Sequence, residues 1–87
     1  MSGEIRPWDG ITEGRIVHVR PRGVEHCQPA IVVRLWSGSM VNLEVFRDGS
    51  NDRGDGYADF PTRWMTSVQH ESVSPNPENA WHWPERA

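Results

Sequence analysis

Lysine is absent from this chain, and all nine of its basic residues are arginine. GC-rich coding accounts for that bias. An arginine fork also recognises phosphate and carboxylate better than an ammonium does, so single arginines become candidate anion contacts. Cysteine occurs once, as Cys27, which excludes an internal disulfide and agrees with a reducing compartment. No apolar run approaches ~18 residues, so no transmembrane helix and no membrane partner are expected. The first residues, Met1 to Trp8, carry no apolar signal core, and a cytoplasmic protein is expected. Helical periodicity is missing as well, beyond two turns anywhere. Excess positive charge is also lacking: the net charge of −3 argues against general attraction to a nucleic-acid backbone. No nucleophile elbow, phosphate loop or metalloprotease motif is present, so neither an enzyme nor a cofactor is expected.

What is present reads as β structure. Gln28 to Trp36 has Ala30, Val32, Arg34 and Trp36 on one face and Ile31, Val33 and Leu35 on the other. Apolar residues on both faces predict a central strand covered on both sides. Ser37-Gly38-Ser39 makes a hairpin loop to Met40–Phe46, in which Val41, Leu43 and Val45 alternate with Asn42 and Glu44. Gly14–Arg20 is another strand, with Ile16, His18 and Arg20 on one face and Val17 and Val19 on the other. Arg63–His70 places Trp64, Thr66, Val68 and His70 together, and Tyr57–Phe60 is a further short candidate. The expected fold is all-β: a small barrel or strongly bent antiparallel sheet of four to five strands, Src-homology-3-like. It forms a single domain over 1–87, with an N-terminal arm (1–13), a β core (14–70) and a C-terminal strap (71–87) containing Trp and Pro. Ile5, Trp8 and Ile11 of the arm are expected to cover part of the barrel. At 87 residues the chain buries only ~60% of its unfolded surface, so association with further copies would help it.

Five tryptophans dominate the functional candidates. Trp36 and Trp64, embedded in strands, read as core. Trp81 and Trp83 flank His82 in a polar tail and are the better candidates for a surface or intersubunit site that stacks a nucleobase. The histidines are His18, His26, His70 and His82; none has metal-ligand spacing with Cys27, and hydrogen bonding to a ligand or half-buried packing suits them better. Cys27 beside His18 or His26 is conceivable as a thiol–imidazole pair, although a small buried side chain is the plainer reading. Asp48–Asp59 is an aspartate- and glycine-rich loop that departs from a calcium loop at Arg53, where glycine is required. Arg53 at its tip is placed to reach across an interface.

Three segments, Gly14-Arg-Ile-Val-His18, Cys27-Gln-Pro-Ala-Ile-Val-Val33 and Trp81-His-Trp-Pro-Glu-Arg86, resemble a group of short uncharacterised proteins of actinobacterial double-stranded DNA phages and prophages. Val19 stands where that group often has tyrosine. The resemblance implies a phage origin and brings no established activity with it.

The resulting expectation is a non-enzymatic phage accessory protein in the cytoplasm of the infected bacterial host. It would be a homo-oligomeric sponge that sequesters a nucleotide-like immune signal. Trp81 or Trp83 would stack on the base, His82 and His18 would donate hydrogen bonds, and Arg63 or Arg53 would pair with phosphate. Two alternatives are a virion component, partnered by a capsid or tail protein, and an inhibitor of a host enzyme.

Overall fold

Strict alternation of valine with polar or bulky residues lets one side of an extended chain be buried and the other stay solvated. In the computed structural model, which describes residues 5–24, 26–47, 61–74, 76 and 78–84, this produces five strands and no helix. They are β1 (Ile16–Val19), β2 (Gln28–Leu35), β3 (Met40–Phe46), β4 (Thr62–Gln69) and β5 (Trp81–His82). The sheet is antiparallel, in the order β4-β3-β2-β1-β5, so the first four strands form a meander and β5 returns against β1. The sheet is strongly bent, as expected. Its inner face holds Val17, Val19, Ala30, Val32, Val41, Leu43, Val45, Met65, Val68 and Trp81 in one core.

Two irregularities overturn part of the face assignment made by simple alternation. Register slips between Val32 and Arg34 on β2, so Arg34 pairs with Asn42 and Leu35 with Val41. That extra residue moves Leu35 to the core side and turns Trp36 outward, where it is 52% exposed. The second slip lies opposite Asn42, between the pairs Val41–Val68 and Leu43–Met65, and Ser67 there has φ of 55°. Met65 and Val68 both face inward, whereas Trp64 is 47% exposed. Trp36 and Trp64 are therefore surface residues, and Trp64, Thr66, Val68 and His70 do not share a face. β2 is the third of five strands, but Val33 and Arg34 are exposed, so it is covered on its inner side alone.

Asn42 ties the two bulges together. Its buried Oδ1 accepts from the Trp36 indole Nε1 at 2.8 Å and from the Ser67 backbone N–H at 2.9 Å. These two bonds satisfy a side-chain oxygen that would otherwise be costly to bury.

The two edge strands, β4 and β5, are drawn together at one end of the sheet. Glu71 N–H donates to the Trp81 carbonyl, and His70 and Trp81 form an isolated parallel bridge. The Ser39 carbonyl accepts both from His70 N–H at 3.0 Å and from Trp81 Nε1 at 2.8 Å, which ties the β2–β3 loop to β4 and β5. Trp8, His70, Trp81 and Trp83 form a chain of tilted and edge-to-face rings beneath this end. The arm covers part of the core through Ile11 and Trp8, while Ile5 is 85% exposed and takes no part. Trp83 Nε1 donates to the Pro7 carbonyl, so arm and strap clasp each other within one copy. The approach to β5 is set by Asn79, whose N–H donates to the Arg20 carbonyl and whose Oδ1 accepts from Arg22 N–H.

Candidate functional site

Alternation decides which functional side chains can meet. In Trp81-His82-Trp83 the two indoles fall on one side of the strand and the imidazole on the other. Trp81 is fully buried, with its edges against His70 and Trp83, so no ring face is open for stacking. Trp83 is half-buried against the core, under the Arg15 guanidinium at 5.1 Å. His82 emerges on the outer face, directly opposite His18 on β1, with the two rings edge to face at 5.8 Å.

That outer face continues into a polar cluster. Cys27 Sγ lies 3.6 Å from His82 Nε2, and His18 is paired in register with Pro29 at the start of β2. Beside them is a cavity of about 250 Å³ lined by His26, Cys27, Gln28, Pro29, Phe46 and Arg47. Three elements build it: the turn before β2 supplies His26 and Cys27, β2 supplies Pro29, and the end of β3 supplies Phe46 and Arg47. Phe46 points outward because Val45 is needed in the core, which leaves its ring 41% exposed at the cavity. The β2 ladder begins at Gln28, so the opposite-face rule for strand neighbours does not separate His26 from Cys27. Among the described residues no three His, Cys, Asp or Glu side chains converge as a metal site.

A second cavity, of about 300 Å³, runs along β4 between Arg63 and Val68 and is bounded by Asn79. It is walled largely by one strand and holds neither imidazole nor an accessible stack of rings. Arg63 belongs to it, since Arg63 pairs with the core-facing Val45 and stands on the opposite side of the sheet from His18 and His82.

The six residues singled out by sequence thus separate. His18 and His82 come together on the outer face, Trp81 and Trp83 serve the interior and the arm, and Arg63 lies along β4. Arg53, with the rest of the 48–60 loop and the candidate strand 57–60, lies outside the described residues. Phe46, Arg47 and Pro29 carry no sequence link to the histidines, and Cys27, which sequence sets beside His18 or His26, meets His82 instead. The signal available for Phe46 and His82 was the period of two, read against the buried Val45 and Trp81. What brings Arg47 beside His26 is the antiparallel pairing of β2 with β3, which has no local signature.

With fold and site geometry in view, comparison with family models, curated proteins and solved structures finds no match to this chain.

Proposed function

We propose that this chain is a non-enzymatic binding module that sequesters a small, planar, anionic ligand of nucleotide type at the outer-face cavity. The carrying observation is the joining of an apolar floor, the Phe46 ring and Pro29, to hydrogen-bonding and cationic groups, His26 and Arg47, with His18 and His82 alongside. A heteroaromatic ring stacks on Phe46, and an anionic group meets Arg47 and His26 as charge-assisted hydrogen bonds. The cavity is below the usual ~300–1,000 Å³ of small-molecule sites, so it holds a base and one anionic group, and leaves the remainder of a larger ligand outside. Sequestration requires slow release and no bond chemistry. The phage resemblance supports an accessory role of this kind in an infected host.

The test is a thermal-shift screen against mononucleotides, cyclic dinucleotides and ADP-ribose-type compounds, followed by calorimetry on any that stabilise the protein. Phe46→Ala should weaken binding roughly 5- to 150-fold, matching the ~1–3 kcal/mol of one stacked base. Absence of any shift across the panel, or a hit indifferent to Phe46→Ala and Arg47→Ala, overturns the proposal.

A further inference from the structure

The outer face of the sheet is unusually apolar for a solvated surface. Ile16 on β1 stands opposite Ile31, Ile31 opposite Glu44, and Glu44 opposite Trp64, which makes one row across four strands. Val33, Trp36 and Phe46 flank that row, and these exposed members, with Ile16 and Trp64, each leave between 41% and 52% of their surface open. Single exposed apolar residues are ordinary, but a contiguous cluster marks a contact surface. The bulges created it, because they turn Trp36 and Trp64 out on either side of the Asn42–Glu44 strip of β3.

The charges on this face are as informative as its apolar residues. Among the described outward positions of β1 to β4, the ionised side chains are one guanidinium, Arg34, and one carboxylate, Glu44. Arg34 is held over the Trp36 ring at 4.2 Å, so its position is largely fixed before any partner arrives. The patch is neutral although the chain carries −3, so two copies can approach here without the repulsion found elsewhere. A patch with one charge of each sign is complementary to itself under two-fold symmetry, where residue i meets j and j meets i.

We propose that this face docks a second copy of the chain about a two-fold axis lying along the sheet between Arg34 and Glu44. Each Arg34 then meets the other copy's Glu44, with Val33, Ile31 and the two indoles closed between the sheets. Aromatic and arginine side chains at the centre of a modest patch are the composition of protein contacts. The pairing also supplies the extra burial that a chain of this size lacks alone. The surface shares Phe46 with the cavity, but its row of Ile16, Ile31, Glu44 and Trp64 is carried by strand register and stands without the ligand assignment.

Mass in solution, measured by light scattering over a concentration series, tests this. The wild type should be a dimer. Arg34→Glu alone and Glu44→Arg alone should each be monomeric, because each puts two like-charge pairs into its homodimer. Mixing the two variants should restore a dimer, since both cross-pairs are then of opposite sign. Rescue on mixing requires both variants to be folded, so misfolding cannot imitate it. Val33→Glu should be monomeric with an unchanged melting temperature measured well below the dissociation constant. A wild-type monomer, a dimer indifferent to both reversals, or a monomer that instead pairs with a capsid, tail or host protein overturns the proposal.

Discussion

Replacing Asn42 with leucine keeps the number of side-chain heavy atoms and the branch at Cγ and removes the acceptor that joins the two bulges. Asn42 is 7% exposed and accepts two hydrogen bonds, at 2.8 Å from Trp36 Nε1 and at 2.9 Å from Ser67 N–H. The Trp36 indole is half-exposed and regains water, so its lost bond costs no more than ~0.5–1 kcal/mol. The Ser67 N–H is partly buried and held at a residue whose positive φ is itself unfavourable, so its loss costs ~1–2 kcal/mol. The sum is about 2 kcal/mol, against a total stability of ~4–13 kcal/mol for a domain this long. At ~4–8 °C per kcal/mol for a domain of this size, thermal unfolding should move down by roughly 8–16 °C. Circular dichroism melts measure the shift, and comparison of tryptophan emission with that of a Trp36→Phe variant should report a looser Trp36 indole below the transition. Ser67→Gly is the matched control: it relieves the left-handed backbone and should stabilise by about 1 kcal/mol. A melting temperature for Asn42→Leu within a few degrees of the wild type refutes the clamp.

Four further outcomes follow from the same packing. Trp81→Ala removes the largest fully buried side chain among the described residues at a cost of ~3–5 kcal/mol, much of the whole, so its denaturant transition should be abolished or shifted far down. Deleting residues 80–87 should likewise unfold the domain and not merely disable a surface. Gly38→Ala puts a methyl 2.7 Å from Trp8 Nε1, so the indole must yield; stability should fall by about 1 kcal/mol and limited proteolysis of the arm should speed up. His70 has its pKa lowered from 6.5 chiefly by burial, with the nearby His82 adding to the effect and Glu71 opposing it. Its Nδ1 accepts from Ser72 N–H at 3.0 Å, which needs the neutral ring. The folded state therefore binds this proton less readily than the unfolded one, and stability should be retained above about pH 6.5 and decline as pH falls below it. Melting temperatures from pH 8 to pH 5 check this, and His70→Gln should show a shallower decline.

Much of the fold was legible because burial imposes a local rule. Val17 and Val19, Val41, Leu43 and Val45 alternate with outward residues, and a period of two needs no knowledge of partners. The hairpin at Ser37–Ser39 and the centrality of β2 follow from the same reading. The failures come where a strand gains a residue. No local pattern in Val32-Val33-Arg34 or Thr66-Ser67-Val68 announces a bulge, and each bulge reverses every face beyond it. Trp36 and Trp64 therefore read as core and stand at the surface. The Trp-His-Trp strap shows the opposite case: alternation alone separates His82 from its neighbours once the tail is known to be a strand.

The amino-acid order by itself determined a β architecture, with its valine faces inward and His18 on the opposite face of its strand from Val17 and Val19. Tertiary structure alone decided that β5 returns beside β1, which sets the His18 and His82 imidazoles opposite each other and brings Cys27 to 3.6 Å from one of them. It also decided that Trp81 fills the core while Phe46 and Arg47 meet His26 at a cavity. The physical reason is range. Side-chain alternation is fixed by neighbouring residues, whereas strand order, register slips and the contacts made across them depend on segments up to 76 positions apart in sequence.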